Sequence, residues 1–416
     1  MSEATRPLRI LILGLNYAPE PVGIGPYTAE LAEDLCARGH RVSVVAARPY
    51  YPAWRVDPAF AGTGYSRRME AGVDVTRCPI YVPRAPNGMR RMLHHASFGL
   101  AALGPMLARA WAMRPDIVLT VAPSLIASPV AWVAAAACGA KRWLHIQDFE
   151  VEAAFATGLV DSGGMVARVA AAVERWVLAR ANRVSTISPQ MCARLADKGV
   201  PAERIVEVRN WARLEAIAPL AGPSPYATRW GLEGRHVALY SGNIANKQGI
   251  GIVLEAARRL AHRPDIVFVV CGEGPNRAVL EAASADLGTI RFYDLQPKEQ
   301  LNDLLGLAAV HLLPQLEGAA DLVLPSKLTN MLASGRPVVA TAAAGTGLAI
   351  EVAGCGVVTP PGDAAAFAVA IAALVDDPAR AATLGASGRA RALDRWCRGP
   401  ILDGMEVELR GIVDRG

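Results

Sequence analysis

Short apolar runs alternate with stretches of helical periodicity along the whole chain. Residues 8–13 form a run of strand length, residues 25–38 repeat apolar positions at helical spacing, and residues 41–46 form a second run. Strand, loop, helix, strand is how a doubly wound parallel sheet opens. Apolar runs at 117–120, 142–146 and 183–187 continue it. After a turn-rich stretch at 219–225 a second series begins, with runs at 237–241, 266–271, 290–293, 310–313 and 337–341 and helical patterns at 252–261 and 277–287. The expected architecture is α/β with two Rossmann-like doubly wound domains. The first covers residues 1–213, with 395–416 crossing back onto it, and the second covers 214–394. Residues 117–140 carry no charge over 24 positions, long enough to raise a membrane span. Pro123 and Pro129 interrupt them, so a buried strand, a loop and a buried helix are expected instead.

Composition supports an enzyme of this class. The chain has 416 residues, 52% of them hydrophobic and 19% charged, and its mean hydropathy is +0.24, which excludes disorder. Seven cysteines are scattered without a C-x-x-C pair. That is a poor disulfide framework and points to reduced thiols and a cytoplasmic home. Neither a zinc-type cluster nor a D-x-D pair occurs, so no metal site is expected. Charge is uneven: residues 1–213 hold 25 Lys and Arg against 17 Asp and Glu, whereas the remainder holds 18 against 21. No acid lies between Asp74 and Asp116, where Arg77, Arg84, Arg90, Arg91, Arg109 and Arg114 accompany Met89, Leu93, Leu100, Leu103 and Trp111. A basic segment rich in Leu and Met can lie on an anionic membrane surface, or it can be a core helix with a solvated basic edge. A nucleic-acid partner is not expected.

Several loops are candidates for chemistry. Gly23 and Gly25 come ten or more residues after the first apolar run, and Arg48-Pro49 follows the second, which disfavours a dinucleotide. The pair can still bring backbone close to a phosphate or sugar at a helix start. In the second half, Gly242, Asn243, Lys247 and Gly249 lie in a loop before a helix, where glycines and a lysine can hold a diphosphate. The G-K-[ST] ending of a triphosphate P-loop is absent. Gly272 and Gly274 close the next strand at the edge where open α/β sheets bind ligands. Pro325, Ser326 and Lys327 open another helix, a second anion cradle. Two such cradles in one domain suit a nucleotide diphosphate with an attached group.

Taken in order, P-E-P-x-G-I-G, H-I-Q-D, Y-S-G-N-x-x-x-K-Q-G, C-G-E-G-P and P-S-K-L-T-N-M-L-A-S-G-R-P-V-V-A resemble glycosyltransferase family 4, a GT-B group, over nearly the whole chain. The likeness is greatest to its colanic-acid and exopolysaccharide fucosyltransferase branch. The resemblance implies two Rossmann-like domains facing across a cleft. It implies retaining transfer from a nucleotide-diphosphate sugar, with GDP-fucose the leading donor and no metal or other cofactor. The acceptor would be a polyprenyl-diphosphate-linked or other saccharide, at the inner face of the plasma membrane. Matched residues place Gly242, Lys247 and Gly249 along the diphosphate, Gly272 to Pro275 near the nucleotide, and Ser326 and Lys327 around phosphate or sugar. Gly23 and Gly25 would face donor and acceptor, with His145, Asp148 and Glu152 near the transferred sugar. The pattern departs at Asn243 and Gln248, where the family commonly has Arg and Lys. The family's two glutamates fall on Leu322 and Asn330, with Asp321 one position out of register; Asn330 would bond a ribose hydroxyl. With no carboxylate nucleophile in view, catalysis would rest on stabilising the leaving diphosphate through Lys247, Lys327 and helix N-termini. Asp148 would orient the acceptor hydroxyl; otherwise it is a helix cap. Two other classes share much of this pattern: a GT-B-shaped epimerase, and an inactive binding subunit of a polysaccharide complex.

Overall fold

The computed structural model describes residues 6–21, 23–62, 64–84, 88–123, 125–149, 165–212, 214–244, 248–316 and 325–414. The chain divides into two compact units, one of residues 1–208 with 402–416 and one of residues 209–401.

The first unit is built on an eight-stranded sheet in the order β3-β4-β2-β1-β5-β6-β7-β8. Its strands are β1 (Arg9–Gly14), β2 (Arg41–Ala47), β3 (Ser66–Glu70), β4 (Val73–Cys78), β5 (Ile117–Ala122), β6 (Lys141–Ile146), β7 (Arg183–Thr186) and β8 (Ile205–Glu207). All neighbours pair in parallel except β3 with β4. The apolar runs at 8–13, 41–46, 117–120, 142–146 and 183–187 are buried central strands, which is why they read as continuous hydrophobic segments. The uncharged stretch 117–140 is a strand, a loop and the helix Ser128–Cys138.

β3 escapes the hydrophobic pattern because it is largely exposed, and β4, although Val73, Val75 and Cys78 are buried, because charged residues that pair within the sheet interrupt its apolar run. Asp74 accepts from Arg67 at 2.7 Å, and the buried Arg77 meets Glu70 at 2.5 Å. The basic segment forms one helix, Gly88–Met113, with Pro105 inside it. Proline has no N–H to give the carbonyl four residues back; Tyr65 Oη donates to that carbonyl, of Ala101, at 3.0 Å.

Crossover handedness sorts the helices. The helix Gly25–Ala37 joins β1 to β2, which step one way along the sheet, while Gly88–Met113, Ser128–Cys138 and Met165–Arg180 precede strands that step the other way. Right-handed connections therefore put these three on one face and the first helix on the opposite one. The contacts agree. Trp132 Nε1 donates to Val177 O at 3.2 Å, and a Cβ on Gly99 would meet Ala127 at 3.4 Å.

The second unit holds a six-stranded, all-parallel sheet in the order β11-β10-β9-β12-β13-β14. Its strands are β9 (His236–Ser241), β10 (Ile266–Cys271), β11 (Ile290–Tyr293), β12 (Val310–Leu313), β13 (Val338–Thr341) and β14 (Gly356–Thr359). Helices Gly251–Arg259 and Ala364–Asp376 pack with β9, β10 and β12 into one core. The boundary falls a few residues before the one expected from the turn-rich stretch. Arg209 pairs with Glu351 at 2.9 Å, Ala212 bridges Cys397, and Ala212, Leu214 and Ile217 pack in one cluster with Trp396. The chain returns to the first unit later than residue 395, within the helix Arg398–Asp414. Charge docks that helix. Arg38 reaches Asp403 at 2.5 Å, and His40 accepts from Leu8 N at 3.0 Å while its other ring nitrogen donates to Glu406 at 3.1 Å.

Candidate active site

In the second unit two loops leave adjacent strands and run side by side. Gly242 N donates to Cys271 O at 2.9 Å and Ile244 N to Glu273 O at 2.8 Å. A Cβ on Gly272 would lie 1.9 Å from Gly242 O, and one on Gly274 would lie 2.3 Å from Ile244 O. Both residues have positive φ, +153° and +158°. Glycine is thus required at 272 and 274 by loop-against-loop packing, a cause the sequence pattern did not separate from close approach to a ligand.

The third segment of this site is the helix Ser326–Ala333. Its N-cap, Pro325, makes no side-chain cap; Leu328 N donates to Pro325 O at 2.9 Å, and the N–H groups of Ser326 and Lys327 before it keep their donor capacity. Lys327 Nζ lies 3.4 Å from where a Gly242 Cβ would stand, donates to Tyr240 Oη at 2.9 Å and sits 4.2 Å from the centre of that ring. Tyr240 Oη donates in turn to Asn243 O at 2.6 Å. Burial pushes the Lys327 ammonium down to about 8 and raises the Tyr240 phenol. A partly desolvated cation beside a glycine and a helix N-terminus is an arrangement for an anion. Asn330 lies one turn beyond Lys327 and half-buried, on the same helix face by its spacing.

Gly242, Asn243, Gly272, Gly274 and Lys327 are thus brought together. Gly249, at φ +62°, instead packs on Leu316, 3.1 Å from its would-be Cβ. Lys247, Asp321 and Leu322 lie outside the described residues, as does the Ser326 side chain. Arg336 belongs to the other end of the helix, where it donates to Gly306 O at 3.1 Å. Tyr240 was missed by sequence reasoning. Its signal was an aromatic two residues before the loop glycine, indistinguishable from a core tyrosine until Lys327 is seen against it.

In the first unit, His145 lies one residue before the end of β6 and is buried, which pushes its imidazole down to about 4. Its Nδ1 is 2.8 Å from Ser185 Oγ and its Nε2 is 2.9 Å from Gln147 Nε2, while Trp143 Nε1 also donates to Ser185 Oγ at 2.8 Å. This neutral, fully engaged imidazole is placed to orient Gln147 rather than to carry a proton to solvent. Asp148 follows, half-buried; Glu152 lies outside the described residues.

The loop of Gly23 and Gly25 wraps a residue that the sequence did not single out. Glu20 is 4% exposed and accepts from Tyr50 N at 2.9 Å, Tyr51 N at 3.0 Å and Asn16 Nδ2 at 2.8 Å. Burial raises its pKa and these bonds oppose the rise. A Cβ on Gly25 would stand 3.2 Å from Glu20 Cβ, and one on Gly23, at φ +75°, would stand 3.3 Å from the Tyr51 ring. Both glycines serve this closure. Beyond it Tyr50, Trp54 and His94 form an aromatic group with centroids 4.5–5.6 Å apart. The only written trace of Glu20 was an acid held between Pro19 and Pro21.

Comparison with known proteins places this geometry. Residues 22–211 match the glycosyl transferase 4-like domain family, and residues 228–391 match glycosyl transferases group 1. The putative colanic acid biosynthesis glycosyl transferase WcaI of Escherichia coli K12 is 42% identical over 82% of this chain and 85% of its own length. The chain is a family 4 glycosyltransferase. Among more distant relatives, the 2-deoxystreptamine glucosyltransferase of Streptomyces kanamyceticus is 33% identical over 50% of this chain and 55% of its own. Sucrose-phosphate synthase of Thermosynechococcus elongatus has a TM-score of 0.74 at 21% identity, covering 98% of this chain and all of that one. HepE of Anabaena, solved in complex with UDP, has a TM-score of 0.70 at 16% identity over 97% of this chain and all of that one. The two parallel-sheet domains are those of the GT-B class. Among the described residues no group of three His, Cys, Asp or Glu side chains is disposed to hold a metal ion.

Proposed function

We propose that this glycosyltransferase moves a sugar, with retention of configuration, from a nucleotide-diphosphate sugar to a lipid-linked saccharide during exopolysaccharide assembly. The observation that carries this reading is Lys327 seated at Gly242 beside the uncapped start of the Ser326–Ala333 helix. A diphosphate there meets a cation, helix N–H groups and two glycine loops. Those are the donors that stabilise charge developing on a leaving phosphate. Lys247 is proposed to join Lys327 in this role, Asn330 to hold the ribose, and no metal to be required. His145 would position Gln147 and Asp148 toward the sugar, and the Glu20 loop with Gly23 and Gly25 would serve the acceptor side.

GDP-fucose is the leading donor and a polyprenyl-diphosphate saccharide the leading acceptor, a choice that rests on the resemblance of the sequence motifs; the relative WcaI supports a place in colanic acid biosynthesis, and the basic first unit suits an anionic acceptor. The reaction would then run at the inner face of the plasma membrane. The test is to incubate purified protein with a panel of sugar nucleotides and a lipid-diphosphate acceptor extract. Release of nucleoside diphosphate only when acceptor is present, with a product of the donor's anomeric configuration, supports transfer. Epimerised sugar nucleotide without acceptor would replace it.

A further inference from the structure

A helix that packs on a sheet is normally polar on its outer side. Gly88–Met113 is not. Phe98, Ala102, Met106 and Met113 face inward and are buried, while Leu93, Leu100 and Trp111 are 54%, 78% and 73% exposed. At 100° per residue Leu93, Leu100, Leu107 and Trp111 fall on one stripe, opposite the buried set, spanning about 27 Å along the helix. The stripe does not stand alone. Ile126 and Val133, from segments packed beside this helix, and Val169 and Trp176, from the helix beyond them in the same layer, are also exposed.

Charge around this surface is one-sided. Between residues 75 and 147 the chain has eight basic residues and a single acid, Asp116. That acid is already held by Arg6 and Arg9 at 3.0 and 2.9 Å. Arg84, Arg90, Arg91 and Arg114 are exposed near the ends of the stripe.

We propose that the outer surface of this helical layer docks in the headgroup–acyl boundary of an anionic bilayer, with Leu93, Leu100 and Trp111 inserted. Lipid is the occupant that satisfies both features: acyl chains take the apolar stripe, and anionic headgroups take the flanking arginines. A second copy of the chain does not, because a two-fold contact would set the same cations against each other. Among the described residues no helix is long and apolar enough to cross a membrane, so the helix lies in the surface plane. Insertion adds an apolar contribution to the attraction of the basic residues. Screening weakens the arginine contribution and leaves the apolar one.

Docking deepens the membrane-surface reading given under Proposed function and rests on it, but it is measured without sugar nucleotide, so a failure of docking and a failure of transfer are read separately. The full-length protein is co-sedimented with vesicles of phosphatidylglycerol and phosphatidylcholine, and with phosphatidylcholine alone, at low and high salt. Preferential binding to the anionic vesicles that survives in part at high salt is expected. Leu100→Glu with Trp111→Glu should weaken it at least about tenfold with an unchanged melting temperature, since both side chains are exposed. Brominated acyl chains should quench the wild type more than Trp111→Phe, which still binds. Wild-type binding by the double glutamate variant, or no vesicle binding by the wild type, would overturn the assignment. So would a concentration-dependent dimer that the double variant abolishes, or capture by acidic protein with no affinity for lipid.

Discussion

Lys327→Met removes a charge and keeps most of the side chain's length, so it separates the cation's function from its packing. In the folded protein the ammonium is pushed from the ordinary lysine value of 10.5 down to about 8 by burial. A depression of that size is a penalty of about 3 kcal/mol on the charged form at neutral pH. Methionine escapes it, and Tyr240 Oη keeps Asn243 O as its acceptor at 2.6 Å. Stability at pH 7 should therefore hold or rise, by up to about 3 kcal/mol. The sign with pH follows from proton counts. Between pH 8 and 10.5 the folded lysine holds fewer protons than the unfolded one, so the wild type gains stability relative to the variant as pH rises through that window. Below it the penalty is complete. Function should move the other way. Losing a cation that faces the leaving diphosphate should lower turnover about 100-fold, or about 3 kcal/mol. Wild-type donor affinity should also fall above pH 8, where the free protein's lysine is neutral, and the variant's should not. Denaturant melts at pH 7 and 10, calorimetry with nucleoside diphosphate and steady-state rates check all three. A variant destabilised by more than about 1 kcal/mol that binds nucleotide like the wild type would refute the anion-site assignment and leave Lys327 as a packing partner of Tyr240.

Lys247→Ala should lower donor turnover by about 100-fold with an unchanged melting temperature; a rate near wild type would leave the phosphate to Lys327, since Arg336 is bound to Gly306 O at the helix's far end. Gly274→Ala should cost about 3 kcal/mol or more in thermal or chemical unfolding, because its Cβ would stand 2.3 Å from Ile244 O; a cost under about 1 kcal/mol would mean the two loops part easily. A fragment of residues 209–401 should fold and bind nucleoside diphosphate by calorimetry. A fragment of 219–391 should melt earlier, having lost Ala212, Leu214, Ile217 and Trp396 from one buried cluster. Chelation by EDTA should leave turnover unchanged, and activity restored only by added divalent cation would return the diphosphate to a metal.

The central parallel strands were legible in the sequence because they are buried on both faces, and burial on both faces demands an unbroken apolar run; the edge strands β8 and β14, only partly buried, left no such run. Glycine loops and a helix start after such strands were legible for a similar local reason: positive φ and free N–H groups leave marks within a few residues. What no local pattern carries is partnership. Asp74 and Arg77 look like interruptions of a strand until Arg67 and Glu70 are placed against them. Gly272 and Gly274 look like ligand-facing glycines until the backbone of Gly242 and Ile244 is found in the space a side chain would need. Glu20 is an ordinary loop acid until two backbone N–H groups from residues 50 and 51 converge on it. The acid-free, Leu-rich segment announced itself by composition, yet that Phe98, Met106 and Met113 are core while Leu93 and Leu100 face outward followed only from the sheet order that sets its inner face. Side-chain chemistry is written residue by residue, but burial, hydrogen-bond partners and the shift of a lysine's pKa are properties of pairs far apart in the chain, and only the fold brings such pairs together.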